Sequence, residues 1–315
     1  MGTEHLAIVW NPSKTERADL EQALQEASAT GAAPARVSWW ETTEDDPGQG
    51  AAAAAMDAGA EVIAAAGGDG TVRAVAEQVA QKTDAPVLGI IPLGTGNLLA
   101  RNLDVPLGDL PAAFARVLAA DARPIDLGWA EIALQEGTRR DAFAVMAGFG
   151  VDAHMIVETD DDLKDKAGWL AYVESLGRAV SASEVIDVKI AADGEPARTE
   201  RAHTVLVGNC GTLQGGMVLL PDADPSDGEL DMLLLSADGA AGWIDTLRTM
   251  VWDNGVKRLI APGGRAESSD TVAHRRVTTL RLALTEPRVF EIDGEDVGET
   301  TNVDITVQRG AVRIC

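Results

Sequence analysis

The stretch AAAGGDGTVRAVAE, residues 64–77, decides the fold. It begins inside a run at 61–66 that predicts a buried strand, and it continues through Val72, Val75 and Ala76 toward Val79, which have the spacing of one helix face. A strand, a glycine turn and a helix start bring backbone N–H groups to the positive end of a helix dipole. The stretch therefore predicts an anion site, with phosphate as the natural ligand, although a tight strand–helix turn is the alternative.

Two side chains in this turn carry chemical information. Thr71 can cap the helix or offer its hydroxyl to a phosphate, while Gly67, Gly68 and Gly70 let the chain approach a ligand closely. A carboxylate beside a phosphate repels it unless a cation lies between them, so Asp69 indicates Mg²⁺ or an ordered water. The lysine of a GxxxxGK[ST] sequence is absent here, which excludes a P-loop.

A second glycine turn lies one unit later, in IIPLGTGNLLARNL at 90–103. Such turns collect at the carboxyl ends of parallel strands, so we expect Gly94, Thr95, Gly96 and Asn97 to lie near the first turn and to form a nucleotide site with it. Asn97 can equally be an ordinary N-cap. Asn11, in WNPSK after the first apolar run, contacts the nucleotide or simply begins an Asn-Pro turn.

The order of elements predicts two domains. Apolar runs at 6–10, 37–40, 61–66 and 86–91 alternate with helical patterns, which predicts a parallel α/β domain over residues 1–126. Over 127–315, runs such as DAFAVMA, HTVLVGN, ELDMLLL, RVTTLRLAL and RVFEID predict a larger, mostly antiparallel domain, with helical patterns near 167–182 and 240–253. The C-terminal strand can return toward the first domain.

Composition narrows the class of partner. The chain of 315 residues carries a net charge of −24, which argues against nucleic acid and against electrostatic adhesion to anionic lipid. Two cysteines, no signal peptide pattern and no apolar run of about 18 residues predict a cytoplasmic, soluble protein. The oligomeric state stays open, a homodimer included.

Five motifs in this order resemble a known family: NPSK, GGDGTVRAV, PLGTGNLLAR, PIDLG and a late DGE. They are similar to the catalytic domain shared by diacylglycerol kinases, sphingosine kinases and soluble bacterial lipid kinases. GGDG alone also occurs in NAD kinases. The resemblance implies an NAD-kinase-like doubly wound domain, a β-rich second domain with the active site in the cleft between them, and ATP and Mg²⁺ as cosubstrates.

The resemblance also implies roles for individual residues. It assigns nucleotide contacts to Asn11, Thr42, Gly67 through Thr71 and Thr95, and it makes Asp69 and Asp126 the carboxylates that organise catalytic Mg²⁺. Glu295, in the late DGE, matches the general base that accepts the proton of a lipid hydroxyl. In the acidic segment PDADPSDGELD at 221–231, it implies a structural Mg²⁺ held by Asp227, with Asp224 and Glu229 contributing backbone carbonyls. A solvated acidic loop is the alternative there.

One position departs from the family pattern. Relatives commonly carry Asp directly after the Asn of the second glycine turn, where this chain has Leu98. We therefore interpret the chain as an ATP-dependent lipid kinase with diacylglycerol as an example acceptor, with transient membrane contact allowed. Two alternatives stay open: an NAD kinase, or a lipid- or nucleotide-binding protein with little turnover.

Overall fold

A computed structural model describes residues 3–31, 33–150, 185–213, 218–236 and 272–315. Contacts divide the chain into a first unit, Met1–Leu127 with Arg309–Cys315, and a second unit, Gly128–Gln308. The helical patterns near 167–182 and 240–253 lie outside the described residues.

The first unit is built on a parallel sheet. Its strands are β1 (His5–Trp10), β2 (Arg36–Glu41), β3 (Val62–Gly67) and β4 (Val87–Pro92), in the order β2-β1-β3-β4. The four predicted strands are confirmed to within one residue at each end. At the far edge, Ile314 pairs in parallel with Leu88, so the end of the chain extends this sheet.

Helices connect these strands, because parallel neighbours need a crossover. These connecting helices are α1 (Arg17–Thr30), α2 (Gln49–Asp57) and α3 (Asp69–Val79), while α4 (Leu98–Asn102) and α5 (Leu110–Ala119) follow β4. Right-handed connections in this strand order put α1 on one face and α2 and α3 on the other. The packing agrees, since α1 contacts α5 and α2 contacts α3. The apolar face of α1 is buried through Leu20, Ala23, Leu24 and Ala27.

The second unit is mostly antiparallel, with eight described strand pairs of that kind. Its strands are β5 (Arg123–Leu134, beginning in the first unit), β6 (Gly137–Phe143), β7 (Met146–Phe149), β8 (Ile186–Ala192), β9 (Arg198–Ala202), β10 (Thr204–Gly208), β11 (Leu230–Leu235), β12 (Val272–Val277), β13 (Thr279–Ile292) and β14 (Glu295–Ile314, ending in the first unit). The mixed α/β fold class, with a β-rich second half, is confirmed.

One predicted strand is divided in the structure. DAFAVMA reads as a single apolar run, but β6 ends at Phe143 and β7 begins at Met146. Ala144 and Val145 are fully buried between them. Burial without strand pairing requires other hydrogen-bond partners for these peptide groups, and those partners belong to the candidate site described below. None of the described helices is long and apolar enough to cross a membrane.

Candidate active site

The two glycine turns follow neighbouring strands of the first unit. The sheet order reverses between β1 and β3, because β2 lies on one side of β1 while β3 and β4 lie on the other. Ligands of open α/β sheets bind outside the carboxyl ends of the strands at such a switch point. Asn11 follows β1 and Gly68 follows β3, and the N–H of Asn11 donates to the carbonyl of Ala66 at 2.9 Å. The predicted phosphate turn therefore flanks the switch point.

Asp69 joins the first turn to the second. Its Oδ2 accepts the N–H of Asn97 at 2.7 Å, and its Oδ1 accepts the N–H of Leu98 at 2.6 Å. These N–H groups start α4, where a helix has no internal acceptors, so Asp69 caps α4 across the gap between the two turns. The structure thus brings the GGDG and GTGN turns together, as expected.

Glycine is required where the turns meet. A Cβ at Gly94 would lie 2.8 Å from the Cα of Gly68, and a Cβ at Gly96 would lie 2.8 Å from Oδ2 of Asp69. Both approaches are shorter than side-chain contacts allow, so a larger residue would push the turns apart. Gly68 is the N-cap of α3 and Thr71 lies in its first turn, buried over Gly67, which excludes Thr71 as the N-cap.

Asn97 shapes the second turn. Its φ is +48°, a left-handed conformation that Asn tolerates better than most residues. Its Oδ1 accepts the N–H of Gly94 at 2.9 Å, and its Nδ2 donates to the carbonyl of Gly94 at 2.6 Å. Arg101 Nε donates to the carbonyl of Gly96 at 2.7 Å. Asn97 stands at the N-cap position of α4, but Asp69 supplies the cap.

Burial and hydrogen bonding act in opposite directions on the pKa of Asp69. Burial raises the pKa of this carboxyl, and the hydrogen bonds from the N–H groups of Leu98 and Asn97 offset only part of the effect. A nearby cation would have the opposite influence, because opposite charge favours the ionised carboxylate. The carboxylate is thus fixed in place and receptive to a positive charge.

Asn11 and Thr42 lie at the same edge of the sheet, after β1 and β2. Asn11 Oδ1 accepts the N–H and the hydroxyl of Ser13 at 2.9 and 2.7 Å, so its side chain closes an Asn-Pro turn. Thr42 is buried, and its N–H donates to the carbonyl of Trp10 at 3.0 Å. Thr95, in the second turn, is exposed.

Asp126 is held by the returning end of the chain. It is 2% exposed on β5, and its Oδ1 accepts the N–H of Gly310 at 2.6 Å, which fastens the returning chain end to the first unit. In the described part of the chain, no three His, Cys, Asp or Glu side chains are grouped as a metal site. The predicted carboxylate network of Asp69 and Asp126 therefore stays a prediction.

An arginine from another strand, not expected from the sequence, contacts the acidic segment. Arg276 on β12 places Nη1 at 3.3 Å from both Asp227 Oδ2 and Glu229 Oε2, and its Nη2 donates to the carbonyl of Asp222 at 2.9 Å. Asp231, paired opposite Arg276 on β11, has a pKa raised to about 6, mainly by burial. The Arg276 guanidinium thus lies beside the carboxylate of Asp227, the side-chain ligand that the resemblance gives to Mg²⁺.

The rest of the segment is closed by its own hydrogen bonds. Asp224 Oδ1 accepts the N–H and the hydroxyl of Ser226, at 2.9 and 2.6 Å, and Asp227 Oδ1 accepts the N–H of Glu229 at 3.0 Å. The structural Mg²⁺ stays a prediction, with Arg276 as the competing cation. The signal for Arg276 was available only in the strand register, which a linear sequence does not display.

Glu295 begins β14 directly after a two-residue turn. Asp293 and Gly294 have φ of +48° and +86°, and Ile292 pairs with Glu295 across the turn. Positive φ at both central residues is the geometry that Asp-Gly favours in a hairpin. Glu295 is exposed on the second unit, whereas Asp293 is buried.

The tripeptide DGE occurs three times, at 193–195, 227–229 and 293–295, so the tripeptide alone does not identify a base. The first occurrence is a hairpin turn between β8 and β9, and the second lies in the acidic segment around Arg276. The third is distinguished by a buried Asp whose carboxylate binds the segment between β6 and β7. Burial, which sequence spacing does not reveal, separates the three.

Comparisons with known proteins cover nearly the whole chain. The diacylglycerol kinase catalytic domain matches residues 5–130, and the YegS C-terminal NAD kinase beta sandwich-like domain matches residues 144–315. A protein of Xanthomonas oryzae pv. oryzae named "Probable lipid kinase YegS-like" is 32% identical over 303 residues, covering 94% of this chain and 91% of its own. A protein of the same name from Pseudomonas aeruginosa is 32% identical over 281 residues, covering 89% and 83%.

Solved structures share the fold. A crystal structure titled as "a putative diacylglycerol kinase" from Bacillus anthracis superposes with a TM-score of 0.72 at 22% identity, covering 99% of this chain and 97% of the other. The family models that match the sequence and the solved structure that superposes on it thus indicate the same fold.

Proposed function

Because the chain belongs to the YegS-like lipid kinases, which carry a diacylglycerol kinase catalytic domain, we propose that it transfers the γ-phosphate of ATP to a lipid hydroxyl, with diacylglycerol as the first acceptor to test. The observation that carries the proposal is the pair of glycine turns fastened by Asp69 at the switch point of the first unit. It supplies helix-start N–H groups to phosphates and a carboxylate to a metal.

The first turn is assigned to the phosphates. The first N–H groups of α3, at Asp69, Gly70 and Thr71, have no acceptor within the helix and lie at the positive end of its dipole. Gly68 and Gly94 leave no side chain between this turn and its neighbour. We assign Gly67 through Thr71 and Gly94 through Asn97 to the nucleotide, with Asn11 and Thr42 at the same edge.

The donor set fits Mg²⁺ held partly by the substrate. Mg²⁺ in kinase sites uses one or two carboxylates, waters and the phosphates themselves, so a group of three acidic side chains is not needed. Asp69, held by the N–H groups of Asn97 and Leu98, supplies one such carboxylate. Asp69 would hold the ion, with Asp126 in support, and bound Mg²⁺ would shield the negative charge of the transferred phosphoryl group.

Glu295 is assigned as the general base. In-line transfer to a hydroxyl requires an acceptor for its proton, and positioning supplies most of the remaining catalysis. The carboxylate of Glu295 takes the proton while the hydroxyl oxygen attacks the γ-phosphorus, and the bond from that phosphorus to the β,γ-bridging oxygen breaks, so that ADP leaves with the bonding pair.

The test of function uses labelled ATP. Purified protein is incubated with γ-labelled ATP, Mg²⁺ and a total lipid extract, and in parallel with NAD in place of the lipid. Label in the organic phase supports the proposal, and purified diacylglycerol then tests the acceptor. Label on NAD instead would make the chain an NAD kinase, and no label in either phase would favour a binding protein.

The test of mechanism is Glu295→Gln. The amide keeps the size of the side chain but cannot accept the proton, so we expect kcat to fall by about 100- to 10,000-fold while the KM for ATP barely changes. The exposed Glu299, also on β14, provides the control Glu299→Gln, which should keep the wild-type rate. A Glu295→Gln protein within a few-fold of wild type would remove Glu295 as the base.

A further inference from the structure

The buried carboxylate of Asp293 binds three successive peptide groups. Oδ2 accepts the N–H of Ala144, and Oδ1 accepts the N–H groups of Val145 and Met146, each at 2.9 Å. The N–H of Asp293 in turn donates to the carbonyl of Met146 at 2.8 Å. Successive N–H groups converging on one anion form a nest, and here the anion belongs to the protein itself.

The segment Ala144–Met146, here called the 144–146 hub, is also fastened on its opposite side. The N–H groups of Asn209 and Cys210 donate to the carbonyl of Val145 at 2.8 and 3.1 Å, and Asn209 Nδ2 donates to the carbonyl of Ala144 at 3.1 Å. All of these groups are buried. These hydrogen bonds hold the 144–146 hub in place between β6 and β7. Asp293 connects the turn Asp293–Gly294 to the hub.

Asp293 lies two residues before Glu295, the proposed base. The turn Asp293–Gly294 has positive φ at both positions, so Asp293 adopts a conformation that costs most side chains energy and persists where surrounding contacts hold it. Ile292 before the turn pairs with Ala147, and Glu295 after it pairs back to Ile292. The backbone of Glu295 thus has its place set through Asp293.

We propose that Asp293 is a positioning residue for Glu295: its carboxylate, bound by the 144–146 hub, fixes the turn that aims the base. The inference rests on the proposed function, because it gives Glu295 the role assigned there. An error of about 1 Å in the position of a catalytic group can cost about 100-fold in rate, so a turn fixed at its carboxylate has a measurable consequence.

Asp193 provides a matched control for the positioning role of Asp293. Asp193 begins the turn Asp193–Gly194, with φ of +51° and +78°, and is likewise followed by a Glu. Its Oδ1 accepts the N–H groups of Thr278 and Thr279 at 2.8 and 3.0 Å. Asp193→Asn therefore removes the same kind of carboxylate–backbone contact from the same unit without touching the turn of Glu295.

The first experiment compares Asp293→Asn with Asp193→Asn at a temperature well below both melting transitions. Asn keeps the left-handed turn but places an N–H₂ group where the nest requires an acceptor. We expect Asp293→Asn to lower kcat by about 10- to 100-fold with the KM for ATP within two-fold of wild type. Asp193→Asn should leave both constants unchanged. Equal losses in the two variants, or a kcat of Asp293→Asn within two-fold of wild type, would overturn the proposal.

The second experiment combines Asp293→Asn with Glu295→Gln. If Asp293 acts through Glu295, the double variant should have the kcat of Glu295→Gln to within about three-fold, because the group being positioned is already absent. Losses that multiply would show that Asp293 only stabilises the fold, and the inference alone would fail. A Glu295→Gln protein with wild-type kcat would instead remove the base, and with it both the mechanism and this inference.

A further variant covers the case in which Asp293→Asn does not fold. Asn209→Ala removes the hydrogen bond to Ala144 from the far side of the hub and leaves Asp293 intact. We expect a smaller fall in kcat, about three- to ten-fold, which should again disappear in the Glu295→Gln background. A loss that persists there would count against positioning through the hub.

Discussion

At the scale of single residues, Asp69 has two tasks that must be separated. It caps α4 through the N–H groups of Asn97 and Leu98, and it is the proposed metal ligand. Removing its side chain would disturb both tasks, since losing a cap costs about 1 kcal/mol. A variant that keeps an oxygen acceptor but not the charge distinguishes them.

We therefore expect Asp69→Asn to lower phosphoryl transfer at least about 100-fold while lowering the melting temperature only slightly, because catalysis here rests on charge stabilisation. Rate at saturating Mg²⁺ and thermal unfolding are the two measurements. Asp109 caps α5 through the N–H of Ala112 at 2.9 Å, so Asp109→Asn is the control that removes the charge from a cap elsewhere and should keep the rate. Wild-type activity in Asp69→Asn at limiting Mg²⁺ would remove this residue from the mechanism.

Leu98 provides a second test beside Asp69. Its side chain is 8% exposed, while its N–H is 2.6 Å from Asp69 Oδ1. If the family's carboxylate network is merely incomplete in this chain, Leu98→Asp should lower the Mg²⁺ concentration that gives half the maximal rate. Leu98→Asn, which has the same shape without the charge, should not. An unchanged Mg²⁺ requirement in both variants would mean that the site holds its metal in another way.

For single residues, the sequence predicted that the two glycine turns lie together, but it did not predict the hydrogen bonds that join them. The two glycine turns were expected side by side, because turns that follow parallel strands share one edge. The cap from Asp69 to α4 was not expected, since a residue's hydrogen-bond partner 28 positions away leaves no local pattern. Burial likewise separates Asp293 from the other two DGE aspartates only in the folded chain.

At the scale of elements, the acidic segment tests whether Arg276 takes the place of a metal. Arg276→Gln leaves the oxygens of Asp222, Asp227 and Glu229 without their cation. We expect its melting temperature to fall and then to rise with added Mg²⁺, because an ion that binds only the native state stabilises it by mass action. The wild-type melting temperature should not depend on Mg²⁺ beyond the effect of ionic strength.

The control for this prediction is Arg281→Gln. Arg281 forms an exposed pair with Asp304 at 2.6 Å in the same unit, and exposed pairs contribute little to stability. Its melting temperature should stay near that of wild type. A wild-type protein stabilised by Mg²⁺, with Asp227→Asn removing the response, would restore the metal that the resemblance implies for this segment.

The hydropathy pattern predicted which segments are strands and which are helices. It did not predict a break within an apolar run. The alternation over the first 92 residues predicted β1 to β4 and their connecting helices because strand and helix periods differ. In DAFAVMA, nothing in the residue types marks Ala144 and Val145 as leaving the ladder. The reason lies in Asp293, whose carboxylate supplies the hydrogen bonds that a partner strand would otherwise supply.

At the scale of the whole molecule, net charge sets how the enzyme meets its lipid. With 50 acidic and 26 basic residues, the chain is repelled by an anionic surface, and this repulsion is screened within about 10 Å at 0.1 M salt. A lipid acceptor presented in a bilayer should therefore be reached more easily where that surface carries no charge.

The last prediction follows from this screening. With the same acceptor in vesicles, kcat/KM on anionic vesicles should start below that on zwitterionic vesicles at low salt and rise by roughly ten-fold as NaCl approaches physiological ionic strength, while the zwitterionic rate stays nearly constant. Acceptor dispersed in neutral detergent controls for effects of salt on catalysis itself. A rate that falls with salt on anionic vesicles would contradict the prediction, because it would require a local basic surface to dominate a net charge of −24.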